Sequence, residues 1–535
     1  MASRTILALQ AERGDATRGR RVILRRIAVA PAFLLALSAC TVGPDFSPPE
    51  WMSPASWFAR KAEPIPKEPS IPVAEPIDPN WWNVFSDPEL TQLEHRVAGE
   101  NLDVRVAAAR LEESRAQLGI AGAGQFPTLN GNASYQRQKS SNVGVFSNAP
   151  NALGANGARG NTAGGVKGGD LAPFDVYQLG FDASWELDLW GKVRRSVESA
   201  KASVEASAEA RRAALISSQA ELARDYIQLR GAQAQLQIAR DNVKTAQQGL
   251  DLTQQRAAGG VTTDLDVANA AAQLRTTAAQ IPPLEQRESE SINAISLLLG
   301  LPPNALQDEL AGAKPVPPVP PRVPVGLPSE LALRRPDIRQ AEAQLHAATA
   351  EVGVSVANFY PSVTLSGSIG LQALQPWKVF DISARQYGVG PGITIPIFEG
   401  GQLTATLELS KAQQKEAAID YQKTVLGAWH EVDNALTAYQ TEQARRDQLT
   451  QAVAQNERAL SLAQSRYQDG VADFLQVLTA EENLLSTQQQ LAISTTNVSA
   501  NLVALYKALG GGWETQLPRA NDDLSPLGAP KLPKS

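Results

Sequence analysis

Apolar residues recur at every seventh position between Arg194 and Gly259. The members of this repeat are Leu215, Leu222, Leu229, Leu236, Val243 and Leu250. A strict seven-residue repeat makes a helix supercoil against partner helices. At about 1.5 Å per residue, a helix of this size is roughly 100 Å long. An ordinary globular core requires no element of that length, so the pattern predicts an extended helical rod.

The same pattern returns 210 positions later in the chain. Its members are Val425, Val432, Tyr439, Val453 and Leu460, with Arg446 as the one polar interruption. Earlier in each half, Asp337-Ile338-Arg339 matches Asp103-Val104-Arg105 at an offset of 234, the difference being a longer first loop. A duplication of the whole chain follows. Each half is predicted as helix, strand, loop, strand, long helix, turn and return helix.

The hydrophobic period changes from about 3.6 to 2 once in each half, and a loop then separates two segments that alternate with period 2. We therefore predict strands at 127–137 and 176–189, and again at 361–371 and 387–398. Each is long enough for the ~9–11 residues of a tilted transmembrane strand. A half-exposed strand of a soluble sandwich alternates in the same way, so the first two strands alone leave both interpretations open.

The N-terminal residues have the pattern of a secretory signal. Several arginines precede the apolar segment from Ile27 to Leu37, which ends in the small-residue junction before Cys40. The Leu-Ser-Ala-Cys junction resembles the bacterial lipoprotein box, which implies cleavage before Cys40 and acylation of this cysteine. Thr41 follows instead of Asp, which by the same resemblance favours the outer membrane. A lone structural cysteine after a plain signal peptide is the alternative.

These patterns divide the chain into six parts. We predict a lipoprotein signal peptide at 1–39, a lipid-anchored proline-rich tether at 40–80, a first repeat at 81–300, a proline-rich linker at 301–328, a second repeat at 329–513 and a tail at 514–535. The long helices are predicted at 192–258 and 402–468, and the return helices at 264–300 and 474–509. Pro282-Pro283 is expected to kink or break the first return helix about midway.

Composition narrows the classes of function. Cys40 is the only cysteine, and His95, His346 and His430 lie far apart in sequence, so we predict neither an internal disulfide nor a metal site. We find no phosphate loop or nucleophile motif, and therefore predict no enzyme and no cofactor. Residues 1–39 carry seven Arg, one Glu and one Asp, a net +5, so their removal changes the net charge from −6 to −11. Nucleic-acid binding requires the opposite sign.

Four strands cannot close a barrel alone, and an open sheet edge is forbidden in lipid. A dimer would give about eight strands around a packed interior, whereas a trimer gives about twelve strands around a lumen. The inward faces carry Ser, Thr, Gly, Asn and Asp, which suit water, so we predict the trimer. The expected fold class is α+β: an internally duplicated chain whose four strands join an outer-membrane β-barrel shared by a trimer, continuous with a long periplasmic α-helical barrel.

Motifs along residues 40–515 resemble the outer-membrane channel proteins of tripartite efflux systems, the TolC/OprM/NodT family, and in particular its lipoprotein branch. The motifs are Cys40-Thr41-Val42-Gly43-Pro44-Asp45-Phe46, Trp81-Trp82 with Asp87-Pro88, Arg334-Arg335-Pro336-Asp337-Ile338, and Leu505-Tyr506-Lys507-Ala508-Leu509-Gly510-Gly511-Gly512-Trp513. The resemblance implies a homotrimer in the outer membrane that exports drugs or other small molecules passively. It also implies a periplasmic adaptor, or membrane fusion protein, that joins the channel to an inner-membrane pump, often of the resistance-nodulation-division type.

The resemblance further assigns mechanical sites to the two hairpin turns. Their residues resemble the family's adaptor-docking tips, with glycine that serves only the turn as the alternative. The candidate docking residues are Gly260, Val261 and Thr262 in the first turn and Gly470, Val471 and Ala472 in the second.

A candidate gate follows the second turn. In the lipoprotein branch, a constriction ring uses a leucine, an aspartate four residues on and an arginine three beyond. Leu475 matches, but the next two positions are Thr479 and Glu482, so an Asp–Arg latch of that kind cannot form. Asp473 and Glu482 would then place like charges near the axis and favour opening or cation attraction. Solvated carboxylates on an exposed helix face are the alternative.

One function of another class also fits the repeat. A lipid-anchored periplasmic coiled-coil adaptor or scaffold would use the same long helices, with its strands in a soluble domain. An adaptor would carry one hairpin between a lipoyl-like and a barrel domain. The duplication and the four transmembrane-length strands favour the export duct.

Overall fold

The computed structural model describes residues 41–49, 70–139, 173–326, 334–514 and 517. The predicted signal peptide and Cys40 lie outside these residues, as do most of the tether and of the C-terminal tail. The described chain forms two compact units. The first contains the described residues of Met1–Asp45, Leu118–Ser199 and Thr349–Ala412, and the second those of Phe46–Gln117, Ala200–Ala348 and Gln413–Ser535.

Helices make up most of the described chain. In chain order they are α1 (Pro88–Glu100), α2 (Leu102–Ala123), α3 (Lys192–Ala258), α4 (Asp264–Ala278), α5 (Ile281–Leu298), α6 (Gln307–Leu310), α7 (Pro336–Ala357), α8 (Gln402–Gln468) and α9 (Phe474–Leu509). The strands are β1 (Ile71–Val73), β2 (Thr128–Gln138), β3 (Phe174–Leu187), β4 (Arg322–Pro324), β5 (Ser362–Ala373) and β6 (Arg385–Thr394). Among the described residues, no helix is long and apolar enough to span a membrane.

The first unit contains a four-stranded sheet in the order β2-β3-β5-β6. All neighbouring strands are antiparallel, and the register places Phe181 opposite both Gly131 and Ile369, with Ile369 opposite Tyr387. Side chains alternate between the two faces of a sheet, so this register gathers the apolar residues of all four strands on one face. Phe181, Ile369 and Tyr387 are exposed in the single chain. We call this surface the apolar face; β2 and β6 are the two edges of the sheet.

The second unit has its largest core around the heptad positions of α3 and α8. Leu222, Leu229, Val425, Val432 and Tyr439 are buried there together with residues of α1 and α9. The Trp81-Trp82 motif belongs to this core, and the Trp81 ring stacks on Tyr506 at 5.5 Å between centroids. Aromatic side chains bury large areas, so this motif closes the core where the long helices meet the N-terminal segment.

The structure divides a segment that the hydrophobic pattern presents as a single helix. The predicted return helix 264–300 is two helices, because α4 ends at Ala278 and α5 begins at Ile281. Pro282 and Pro283 lie in the first turn of α5, where a missing N–H removes no hydrogen bond of the helix. Likewise, α1 and α2 are separated at Asn101, whose side-chain oxygen accepts hydrogen bonds from the N–H groups of the next helix.

The strands also differ from their predicted limits, most at β6. The alternation predicts a strand at 387–398, whereas β6 spans Arg385–Thr394. Ile395 and Ile397 continue the alternation beyond the strand, but Pro396 between them has no N–H for a sheet hydrogen bond. The long helices α3 and α8 have the limits predicted from the heptads and the glycine turns.

Candidate functional site at the hairpin tips

The first hairpin turn, between α3 and α4, is built on Gly260. This residue has a φ of 71°, a left-handed conformation that glycine adopts without a steric penalty. The Val261 N–H donates to the Arg256 carbonyl at 2.9 Å, and the Gly260 N–H to the Ala257 carbonyl at 2.9 Å. These bonds satisfy the last carbonyls of α3, as in other glycine-terminated helices.

The return into α4 is fixed by Thr263 and Asp266, which form a capping box. The Thr263 hydroxyl accepts from the Asp266 N–H, and the Asp266 carboxylate accepts from the Thr263 N–H. The Thr262 hydroxyl also donates to Asp266, and this hydrogen bond is the main reason that the pKa of Asp266 is lowered. Thr262 therefore has a structural partner inside the turn.

The second turn, between α8 and α9, repeats this geometry at an offset of 210. Gly470 has a φ of 76°, and the Val471 N–H donates to the Arg466 carbonyl at 3.0 Å. The residue before α9 is Asp473, whose side chain makes no capping hydrogen bond. The two turns thus share their backbone conformation, but only the first has a side-chain capping box at the start of the following helix.

Both turns present a valine to solvent. Val261 is 66% exposed and Val471 67% exposed, although both are large apolar side chains. Thr262 and Ala472 are half-buried beside them. The duplication therefore gives the second unit two matched apolar points, one at each turn.

The two hairpins are joined behind their turns by Arg256 in the last turn of α3. Its Nη1 donates to the carbonyl oxygens of Tyr467 at 2.9 Å and Gln468 at 3.1 Å, and its guanidinium lies 4.6 Å from the centre of the Tyr467 ring. Sequence reasoning missed this contact. The sequence carries no signal for it, since Arg466 occupies the equivalent position of the second hairpin and is exposed.

A small core lies inside the hairpins, and one carboxyl group is buried against it. The core contains Leu250, Leu274, Leu460, Phe474 and Val477, among others. Glu481 of α9 is buried, and burial raises its pKa to about 7. Its Oε1 has no hydrogen-bond partner within the described structure. Sequence reasoning missed Glu481 too, although its spacing from Val477 and Leu484 places it on the buried face of the helix.

The predicted gate residues lie together on the exposed side of α9. Leu475, Thr479 and Glu482 are exposed and follow each other at intervals of four and three residues, which places them on one helix face. The Thr479 hydroxyl donates to the Leu475 carbonyl at 2.9 Å. Asp473, also exposed, precedes the first turn of this helix. No group of three or more metal-ligating side chains is present in the part of the chain that the structure describes.

The segment that follows Cys40 is fixed to the first unit, although Cys40 itself is outside the described residues. Arg195, near the start of α3, pairs with Asp45 at 2.6 Å. Gly43 has a φ of 94°, and a Cβ there would lie only 2.5 Å from the Gly353 Cα atom. This close approach admits only glycine, so the chain beyond the predicted lipid attachment point has a defined path.

Comparison with known proteins gives consistent matches along most of the chain. The family model described as "Outer membrane efflux protein" matches residues 93–301 and 327–511. Nodulation protein T of Rhizobium leguminosarum bv. viciae is 34% identical over 91% of this chain and 94% of its own length. The pyoverdine export outer membrane protein OpmQ of Pseudomonas putida is 32% identical over 92% of this chain and 99% of its own length.

Solved structures agree with these relatives. The structure of the outer-membrane channel OprN is 35% identical to this chain and superposes with a TM-score of 0.78, covering 89% of this chain and all of that one. The family resemblance and the α+β fold class inferred from the sequence are therefore confirmed.

Proposed function

This chain belongs to the outer membrane efflux protein family, and from that membership we propose that three copies form the outer-membrane channel of a tripartite efflux pump. The channel is a passive export duct for drugs or other small molecules. An inner-membrane transporter supplies the energy and selects the cargo. The family consists of channel proteins, and the protein is located in the cell outer membrane.

One observation supports the channel most strongly: the sheet of the first unit has an uncovered apolar face and two strand edges. Phe181 and Ile369 lie on the apolar face, whereas Asn132, Asp182 and Ser368 lie on the opposite face. Apolar side chains outward and polar side chains inward are the pattern of a barrel that encloses water. The edges β2 and β6 require partners in lipid, and other copies of the chain supply them.

The polarity of the inner face supports three copies. Two copies would give about eight strands and an interior filled by side chains, whereas three give about twelve and leave an open channel. The polar inner face would be poorly accommodated in a filled interior. A homotrimer with twelve strands, continuous with a periplasmic helical tunnel, fits these requirements.

The hairpin tips are the proposed docking points for the periplasmic adaptor. Gly260, Val261 and Thr262 form one tip, and Gly470, Val471 and Ala472 form the other. Two matched, exposed valines on rigid turns are suited to an apolar contact repeated around a symmetric ring. The adaptor connects the channel to an inner-membrane pump, which we assign to the resistance-nodulation-division type.

The proposed gate is the exposed face of α9 with Leu475, Thr479 and Glu482, together with Asp473. Three copies of this face around an axis would place six carboxylates from Asp473 and Glu482 near one another. Like charges repel and attract cations, so this arrangement favours an open state more than an Asp–Arg latch would. We further propose that Cys40 is acylated, since the fixed path of the adjacent segment suits a tethered end.

The lipid-anchored coiled-coil adaptor or scaffold is not favoured. The family match covers both halves of the duplicated chain, whereas an adaptor would carry a single hairpin. The two functions separate in one experiment on the full-length protein. The duct predicts heat-modifiable, detergent-stable trimers in the outer-membrane fraction and conductance in planar bilayers. A soluble monomer after removal of the lipid anchor would contradict the proposal.

A further inference from the structure

Basic and aromatic side chains meet at the end of the sheet where β2 and β5 finish and β3 and β6 begin. We call this the loop end, since the β5–β6 hairpin loop lies there. Its charged members are Arg137 in β2, Lys139 directly after β2, Asp175 in β3, Lys378 and Asp381 in the hairpin loop, and Arg385 in β6. The opposite end of the sheet connects to helices α2, α3, α7 and α8.

Two arginines terminate the apolar face at the loop end. Arg137 follows Tyr135 by two positions, and Arg385 precedes Tyr387 by two positions. Since side chains alternate across a strand, each arginine lies on the same face as its neighbouring tyrosine. The apolar face of both edge strands therefore ends in an arginine at the same end of the sheet. Because these arginines lie on the outward face, they do not line the lumen.

These charges are only partly neutralised. The Arg137 side chain is 63% exposed and its Nη1 is 3.7 Å from an Asp175 oxygen, a long ion pair. The same Asp175 oxygen accepts a hydrogen bond from the Tyr135 hydroxyl at 3.0 Å, so Asp175 interacts with the tyrosine as well as with Arg137. Arg385 is exposed and has no ion pair with any residue that the structure describes.

The hairpin loop adds apolar contact area beside these charges. Trp377, Phe380 and Ile382 are all exposed, and Lys378 lies between the first two. Val379 is buried, whereas Trp377, Phe380 and Ile382 around it are exposed. Tryptophan with lysine and arginine at the end of an apolar band is typical of a membrane–water interface, where rings sit among headgroups and cations reach anionic lipid.

We propose that the loop end binds the phosphate groups of lipid A, the anionic lipid of the outer leaflet. This inference rests on the proposed function, because it requires the apolar face to contact the membrane and the helices to lie in the periplasm. An arginine guanidinium pairs with phosphate through two parallel hydrogen bonds. In the closed ring, β6 of one copy adjoins β2 of the next, so Arg385 and the neighbouring copy's Arg137 end on the same edge and complete one site.

The test uses the full-length trimer, purified in an uncharged detergent. Purified lipid A with both phosphates, the same lipid after dephosphorylation, and phosphatidylglycerol are titrated separately, and binding is followed by native mass spectrometry. We expect phosphorylated lipid A to bind, with affinity weakened about tenfold or more in the R137Q/R385Q variant, since two charge-assisted contacts are lost. The matched control K411Q/K415Q removes the same charge from exposed lysines of α8 and should bind as the wild type does.

Three results would overturn the inference. Equal binding of dephosphorylated lipid A would show that phosphate is not recognised, and equal binding by R137Q/R385Q would show that the loop end is not the site. Phosphatidylglycerol that binds as tightly, with the same dependence on both arginines, would contradict the assignment to lipid A. Failure of the proposed function can be distinguished from failure of this inference. If the chain formed no trimeric channel, no trimers could be purified from the membrane before any lipid is added.

Discussion

Arg256 donates a hydrogen bond of 2.9 Å to the carbonyl oxygen of Tyr467, 211 residues further along the chain. That carbonyl is one of the last four in α8, and no N–H group of the helix itself donates to these carbonyls. It also accepts a hydrogen bond from the Gly470 N–H of the turn at 3.1 Å. The positive guanidinium is favourably placed at this helix end, where the helix dipole is negative. The contact joins the end of the first hairpin to that of the second, so the two tips form one platform.

Substitution of Arg256 should loosen this platform. R256A removes hydrogen bonds from a charged donor and a ring contact, a loss of about 2 kcal/mol for the local structure. We expect faster hydrogen exchange of the amides around Gly260 and Gly470, and a higher open-channel conductance because the tips separate more easily. R466A is the matched control at the equivalent, exposed position and should change neither quantity. Equal effects of the two variants would contradict the link.

Glu481 predicts a pH dependence of the hairpin ends. Burial raises its pKa to about 7, so the folded protein favours the neutral carboxyl. The stability that the neutral Glu481 carboxyl contributes is fully present below the ordinary glutamate pKa. It is lost as the pH rises through the pKa of Glu481 in the folded protein. Over that interval the loss is roughly 3 kcal/mol. Thermal unfolding of the helices followed by circular dichroism should therefore show lower stability at pH 8 than at pH 5.

The variant E481Q should reduce this difference by raising the stability at pH 8. The adjacent, exposed Glu482 provides the control, since E482Q should leave the pH dependence unchanged. If E481Q retained the full wild-type difference, the buried carboxyl would not be its source.

The proposed gate at Leu475 can be tested by introducing the Asp–Arg latch that this chain lacks. The double substitution T479D/E482R recreates the aspartate and arginine that follow the constriction leucine in the lipoprotein branch. We expect lower open-channel conductance in planar bilayers, because opposite charges between copies draw the α9 faces together. N269D/A272R makes the same change at the equivalent positions of α4 and should have little effect. Unchanged conductance in T479D/E482R would mean that the gate lies elsewhere.

The proposed docking role of the two tips predicts that a variant can lose export and still conduct as a purified channel. V261D/V471D places a charge at each apolar tip, which would be buried without a partner in an adaptor contact. Drug export by cells should be lost, as measured by a fall of the minimum inhibitory concentration to that of a strain without the channel. Conductance of the purified trimer should stay at the wild-type value. V261T/V471T keeps the side-chain shape and should retain most export, whereas full export by the charged variant would contradict docking at these tips.

Much of the fold could be predicted because the chain is long, repetitive and strongly patterned. The limits of α3 and α8 follow from heptads that begin after a strand and end at glycine turns. The separation of α4 from α5 was also expected from Pro282-Pro283, although the break precedes them, because proline is accepted in the first turn of a helix. Apolar alternation alone extended β6 through Ile395 and Ile397, since the pattern does not register the missing N–H of Pro396.

The site was less predictable for a physical reason. Gly260 and Gly470 are local turn signals, and the sequence identified both. The Arg256–Tyr467 contact exists only when two hairpins lie side by side, and nothing in the sequence near either residue specifies its partner. Glu481 and Glu482 look alike in sequence; only the helical phase set by Val477 and Leu484 separates the buried carboxyl from the exposed one.

Closure of the sheet by other copies is the central claim, and disulfide cross-linking in cells tests it most directly. S134C on β2 is combined with G388C, G390C or G392C on β6. Within one chain β3 and β5 separate these strands, at about 4.8 Å per strand, so no internal disulfide can form. We predict that one pairing gives a covalent product whose largest member is three chains. Only single chains in all three pairings, or a largest product of two chains or of more than three, would contradict the trimeric channel.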